Sequence, residues 1–466
     1  MNYSFLLGVA IAIAIGCLSI LLPYFSHRNQ GLHDGCSLLP HKHFWVYSNR
    51  VLTPGGITAA AVEISEGHIV SVVNQNKAPK KTKGVHVIDY GNAVIMPGLV
   101  DVHVHLNEPG RVEWEGFVTG TKAAAAGGFT TLIDMPLNSV PTTTSKEAFD
   151  MKVDAAKGRL FVDVGFWGGL VPENAFNNTA IDELLQAGAL GLKSFMCPSG
   201  INDFGQTNAS HIKEALKILA KYQRPLLVHA ETPQPSEEKI ETDDSERRMY
   251  STYLRTRPPS WEEEAVKELI GVSKDTLFDG PKDGAHIHIV HLSDSSASLD
   301  LIKEAKESGA RISVETCPHY LVFSAEEISD GDTRFKCAPP IRDALNRERL
   351  WEALKDGHID MLSSDHSPSS PELKLLETGD FLRAWGGISS LQGTIVTGND
   401  ADLVVWDPEI NFEIGENYTI YHKHPITPYA GKHLFGSVIA TFVRANMVYG
   451  NGSHASTACG VPILAA

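Results

Sequence analysis

An α/β fold is predicted for this chain: a (β/α)8 TIM-like barrel with a small β-sandwich domain built from both chain ends. Three observations predict it. Eight short apolar stretches alternate with helical patterns between Leu99 and Asp365, the signature of a parallel sheet. Turn-rich strand patterns occur before this region and return after it. The first of the eight stretches closes on His103-Val104-His105, and a barrel carries its chemistry at the carboxyl ends of its strands. A chain of 466 residues is long enough for one barrel and a smaller domain.

The elements follow in order. Phe5–Tyr24 is almost all apolar and uncharged. It exceeds the roughly 7–15 residues of a signal h-region and is about long enough to span a bilayer. Residues 1–25 are therefore expected to be a signal peptide or signal-anchor. Residues 26–42 form a polar linker. Strands at Phe44–Leu52, Ala60–Ser65, His68–Val73 and Val85–Tyr90 alternate or run apolar around turns such as Thr53-Pro-Gly-Gly. Residues 43–96 and 393–452 are assigned to the small β-sandwich domain, and residues 97–392 to the barrel.

Barrel strands are expected at Leu99–His105, Phe129–Asp134, Phe161–Trp167, Ala189–Phe195, Pro225–Ala230, His286–His291, Arg311–Thr316 and Asp360–Asp365. Helical patterns fall between them, for instance at Lys213–Lys221, Trp261–Val272, Ser296–Lys306 and Arg347–Lys355.

The net charge of −16 argues against a nucleic-acid partner. Six cysteines in so long a chain are no disulfide framework. Cys17 lies in the apolar segment; Cys197, Cys317 and Cys337 lie in the barrel. Cys317 is followed by Pro and has no evident base, so it is read as a packed thiol. Asn-x-Ser/Thr triplets at Asn177, Asn208, Asn417 and Asn451 are compatible with a secretory lumen.

Six residues converge on metal chemistry. On a strand, His103 and His105 face the same side. Taken alone, they are as readable as two core histidines. Lys193 stands near the end of the fourth strand among apolar neighbours. A buried lysine has a lowered pKa and is nucleophilic. It can take up CO2 to become a carbamate that bridges two metals. His229, His291 and Asp365 end the fifth, sixth and eighth strands. His286 and His288 fall on the face opposite His291 and are read as packing or outward residues. His366 points away from Asp365 and is expected to support the site from behind.

Imidazole and carboxylate donors suit two Zn²⁺ ions, with Mn²⁺, Co²⁺ or Fe²⁺ fitting the same cage. Two such ions provide a bridging hydroxide and polarise a carbonyl, while Asp365 can serve as catalytic base and acid.

At these residues the chain resembles the amidohydrolase superfamily, specifically its cyclic amidohydrolases, over about Leu52–Tyr449. The run Leu106-Asn-Glu-Pro-Gly-Arg111, the Glu113-Trp-Glu-Gly-Phe117 after it, and Lys193-Ser-Phe-Met-Cys-Pro-Ser-Gly200 look like the allantoinases rather than the dihydroorotases or dihydropyrimidinases. Thr316-Cys-Pro-His-Tyr-Leu, Lys336-Cys-Ala-Pro-Pro-Ile-Arg and Ser364-Asp-His-Ser-Pro fit the group generally. With the apolar amino end, the resemblance is to plant-type members, which places the chain in the endoplasmic reticulum or secretory pathway.

The resemblance implies metal ligands His103, His105, carboxylated Lys193, His229, His291 and Asp365. It implies hydrolysis of allantoin to allantoate in purine catabolism. Substrate contacts would come from Asn107, Ser199, backbone near Ala338, and loop Trp385–Gly387. It also implies a small-molecule substrate, membrane contact only through the amino-terminal segment, and a homo-oligomer. The alternatives are a hydantoinase-type cyclic amidohydrolase, or an impaired truncated isoform acting as a scaffold.

The chain departs from the pattern at one place. The family has helices after the eighth strand, whereas here Leu391-Gln392 runs directly into Gly393. A segment of roughly fifty residues is expected to be missing at Gln392–Gly393, leaving apolar barrel surface uncovered.

Overall fold

The computed structural model describes residues 35–80, 85–234, 242–276, 284–389, 394–395, 401–415 and 418–466. The segment Phe5–Tyr24, Cys17, Asn417 and the Gln392–Gly393 junction lie outside the described residues. No helix among the described residues is long and apolar enough to cross a membrane.

Eight parallel strands form the barrel. Leu99–Val104, Phe129–Asp134 and Asp163–Phe166 pair in one sheet. At Trp167 the chain steps across to Gly168–Gly169, which pairs with Leu192–Phe195. Leu226–His229, Ile287–Ile289, Ile312–Thr316 and Met361–Leu362 continue the second sheet. The ring closes where Val104 bridges His366, and the His105 N–H donates to the His366 carbonyl at 2.8 Å.

Helices between successive strands bury one face on the barrel, as periodic apolar positions require. In Ala209–Tyr222, for instance, Ile212, Ala215, Leu216, Ile218 and Leu219 are buried. Asn208 caps this helix by accepting from the Ser210 and His211 N–H groups. Asn177 caps Asn178–Gln186 in the same way, through Ala180. The Asn of two of the four Asn-x-Ser/Thr triplets is thus used as a helix cap.

Among the described residues, no α-helix follows the eighth strand; only a 3-10 turn at Pro371–Lys374 does. Met361 and Leu362 of that strand are half-buried.

Both chain ends share one nine-stranded sheet. Leu403–Glu413 pairs antiparallel with Val94–Pro97 on one side and with His433–Val443 on the other. It is one continuous sheet rather than two facing ones, and it curls to enclose a core. Phe44 and Phe442 sit on strands that are not neighbours, yet their rings stack 5.9 Å apart. The returning chain does not enter this sheet at once. Thr394–Ile395 pairs antiparallel with Leu99 and Val100 of the barrel, so the junction of the two units falls later than residue 393.

Two features escaped the sequence reading. Cys36 and Cys459 form a disulfide across 423 residues; it is a single crosslink rather than a framework, and the sequence reading did not identify it, while Cys197, Cys317 and Cys337 are free. Beyond Cys459, Pro462–Ile463 pairs parallel with Val164 and Gly165, adding an edge strand next to the third barrel strand.

Candidate metal centre

The first strand is anchored before its histidines are presented. Asp101 accepts the N–H of His103 and of Ser364, tying the first strand to the eighth. Asp134 accepts the Leu106 N–H at 2.7 Å, and buried Lys152 holds Asp134 at 2.6 Å. His103 and His105 are then both buried at the barrel mouth.

Their Nε2 atoms lie 3.3 and 3.4 Å from the same oxygen of Asp365. Donor atoms of the three residues all fall within 4.8 Å of one another. The His291 ring stands 5.3 Å from that of His103 and 4.5 Å from that of His229. His229 stacks on Phe195 at 4.5 Å, and the Lys193 Nζ lies 4.8 Å over the same Phe195 ring. The structure thus brings all six predicted ligand residues around one end of the barrel. His291 and Asp365 sit just past their strands in left-handed backbone, φ 40° and 45°, at a cost of roughly 1–2 kcal/mol each.

Electrostatics favour metal binding. Burial pushes the Lys193 ammonium down to about 7 against the pull of Glu315 and Asp365. Its Nζ is buried and has no hydrogen-bond partner; the same is true of His291 Nδ1. Burial lowers His105, takes His229 to about 4 and drives His291 well below the usual imidazole range, so these rings present lone pairs. Burial works against charge on Asp365, but His103 and His105 hold its carboxyl below the ordinary range. Neutral imidazoles, a carboxylate and an orphaned buried amine suit a pair of divalent cations.

Supporting carboxylates lie behind the ligands. Glu315, fully buried, meets His103 Nδ1 at 2.5 Å and His288 Nε2 at 3.0 Å. His288 is therefore neither outward nor mere packing; His291 lies beyond the strand end, so strand alternation does not relate the two. Glu231 meets His229 Nε2 at 2.6 Å and Arg257 at 2.5 Å. His366 is buried with Nε2 3.2 Å from Glu115. A lone Glu on an apolar strand (Glu315), and one two residues past a histidine (Glu231), were the available signals for these carboxylates.

A cavity of about 570 Å³ opens over the cluster. Ser199 and Ala338 line it; the Ser199 hydroxyl donates to the Phe204 carbonyl at 2.6 Å. Asn107 does not line it. Its φ of 64° turns the chain back, and its side-chain amide donates to the Pro368 carbonyl at 3.2 Å. Asn138, which the sequence reading missed, does line the wall and lies 3.3 Å from His105 Nδ1. The Cys317 thiol is buried and burial pushes its pKa well up, in keeping with a packed group.

Two family models match the chain: "Allantoinase, composite domain" over residues 39–93 and "Amidohydrolase family" over residues 94–384. The chain is 56% identical to an allantoinase of Arabidopsis thaliana over 479 aligned positions, covering 94% of each. It is 55% identical to a probable allantoinase of Oryza sativa subsp. japonica over 496 positions, covering 98% of this chain and 97% of that one. Among solved structures it superposes on L-hydantoinase (dihydropyrimidinase) from Arthrobacter aurescens with a TM-score of 0.77 at 26% identity, covering 91% of this chain and 100% of that one.

Proposed function

The chain belongs to the amidohydrolase family, and from that premise we propose that it hydrolyses the cyclic amide of allantoin to allantoate in purine catabolism. The observation that carries the substrate is the identity above one half with allantoinases over nearly the whole chain. The reaction adds one water across a ring C–N bond. The carbonyl carbon gains the oxygen and becomes a carboxylate; the ring nitrogen leaves with a proton.

His103, His105, Lys193 as its carbamate, His229, His291 and Asp365 would hold two divalent ions, zinc in our reading, which supply Lewis acidity and a hydroxide at neutral pH. The chain's own residues do the rest. Asp365, kept ionised by its histidines, takes a proton from the attacking water and delivers it to the leaving nitrogen. Glu315 and Glu231 orient His103 and His229. Ser199, Asn138, Ala338 and the Leu382–Gly387 wall enclose the ring.

The test is turnover by the purified, metal-loaded chain. Allantoin should be consumed while dihydrouracil and dihydroorotate are inert, with about two metals bound per chain. Preference for dihydrouracil or hydantoin would move the assignment to a hydantoinase-type enzyme. Absence of metal uptake would favour a scaffold.

The impaired-isoform reading has its own support. The rice alignment spans 496 positions although this chain has 466 residues, so the relative carries residues without a counterpart here. The half-buried eighth strand fits a missing flank. Placement in the secretory pathway is supported by the Cys36–Cys459 disulfide, since such bonds persist in oxidising compartments. Protease protection of microsomes tests it. Homo-oligomeric assembly, which the resemblance implies, is tested by light scattering.

A further inference from the structure

Two lysines outside the metal cluster converge on one loop. Lys336 lies just after the seventh strand's excursion, and Lys374 ends the 3-10 turn after the eighth strand. They are 8% and 5% exposed. The Lys336 Nζ donates to the carbonyls of Leu382, at 3.1 Å, and Ala384, at 2.6 Å. The Lys374 Nζ donates to the carbonyls of Trp385, at 3.3 Å, and Gly387. Four carbonyls of one six-residue stretch are thus turned onto two buried ammonium groups.

Burying an ammonium is costly unless polar groups surround it. Here the surrounding groups are backbone carbonyls, and burial pushes Lys336 down to about 7 and Lys374 to about 8, so it is the donated N–H bonds that fix backbone orientation. The loop is fastened from other sides as well. The Trp385 N–H donates to Leu373 O, the Gly387 N–H to Lys336 O, and Asp380 accepts from the Leu382 and Arg383 N–H groups. Gly387 has φ 139° and passes so close to Ser367 that a Cβ would lie 2.3 Å from its carbonyl oxygen.

All of Leu382–Gly387 lines the cavity over the metal cluster. A trans peptide places C=O and N–H on opposite sides. Turning the Trp385 carbonyl onto Lys374 therefore aims the Gly386 N–H the other way, and Gly386 is a cavity residue. The loop is also braced by aromatic packing. The Trp385 ring packs edge-on against Trp114 at 4.8 Å, beneath which Arg111 sits 5.0 Å from the Trp114 centroid.

We propose that Lys336 and Lys374 are positioning residues that set the cavity-facing backbone of Leu382–Gly387 for the ring substrate. The inference rests on the hydrolase reading. Lys336 also lines the cavity while Lys374 lies behind the loop. The hydrogen bonds of both Nζ atoms go to loop carbonyls rather than to metal ligands, so their effect belongs to substrate binding and not to metal loading.

The test uses Lys336→Met, Lys374→Met and Lys374→Arg in the full chain. Arg383, exposed within the loop, supplies a tryptic reporter. Each methionine variant should raise the rate of cleavage after Arg383 several-fold. Each should also raise KM for allantoin roughly tenfold or more, the scale that misplaced binding groups produce. The turnover number should change less than threefold and metal content should not change. Lys374→Arg, which keeps a cation, should recover a lower KM than Lys374→Met. Unaltered KM and cleavage would overturn the proposal, as would an equal fall in turnover number and metal content. If the wild-type chain proves inactive on allantoin, the substrate assignment fails by itself, and the cleavage at Arg383 still decides whether the lysines hold the loop.

Discussion

Glu315 and His103 meet with Oε1 2.5 Å from Nδ1, in a contact almost closed to solvent. Burial opposes charge on Glu315, but His103 and His288 hold its carboxyl well below the usual range. An ionised acceptor keeps the imidazole proton on Nδ1 and leaves Nε2 turned to Asp365. Glu315→Gln should therefore lower metal affinity about 10–100-fold. Chelator competition measures this, and the far-UV circular dichroism spectrum should stay the same.

Lys193 sets a pH window for loading. Its folded-state value is lowered to about 7, so the reactive neutral amine dominates above that pH and the ammonium below it. Carbamate formation needs the neutral amine. Metal uptake by apoprotein in bicarbonate should fall as pH drops through about 7. Lys193→Met should abolish the pH step together with the uptake. A flat profile from pH 6 to 8 would contradict this.

The Cys36–Cys459 crosslink closes a very long loop. Cys459→Ser, or reduction, should destabilise the chain by about 2–5 kcal/mol. Thermal melts with and without reductant, and of the serine variant in the absence of reductant, report the difference. Equal melting temperatures would show that the bond constrains nothing.

Restoring a relative's helical segment between Gln392 and Gly393 should raise the melting temperature and increase allantoin hydrolysis. The eighth strand is half-buried, and no α-helix follows it among the described residues. Equal stability and equal activity in the two chains would remove the case for a missing segment.

Much of the site was legible because it obeys strand periodicity. His229 and the His103/His105 pair fall where alternation and strand ends put them. Alternation failed where backbone leaves the strand. Asn107 lies past Val104 at φ 64°, so its side chain turns to Pro368 instead of the cavity. His291 is likewise beyond Ile289, which hid the link from His288 through Glu315 to His103. Long-range pairings left no local pattern. Neither Cys36 nor Cys459 announces the other, and nothing local to Lys374 points to the loop whose carbonyls it holds.

The strand at Pro462–Ile463 has a consequence for how the molecule is built. Val461 binds Asp163 across 298 residues, and the neighbouring pairs complete the third barrel strand. The central segment thus draws one of its edge pairings from the far end of the chain. During synthesis the edge of Asp163–Phe166 stays open while the rest of the barrel is made, and unpaired edges invite association. Contacts this distant in sequence also slow folding. A barrel cut free of residues 453–466 would keep all six donor groups and lose the strand that covers the edge of Asp163–Phe166.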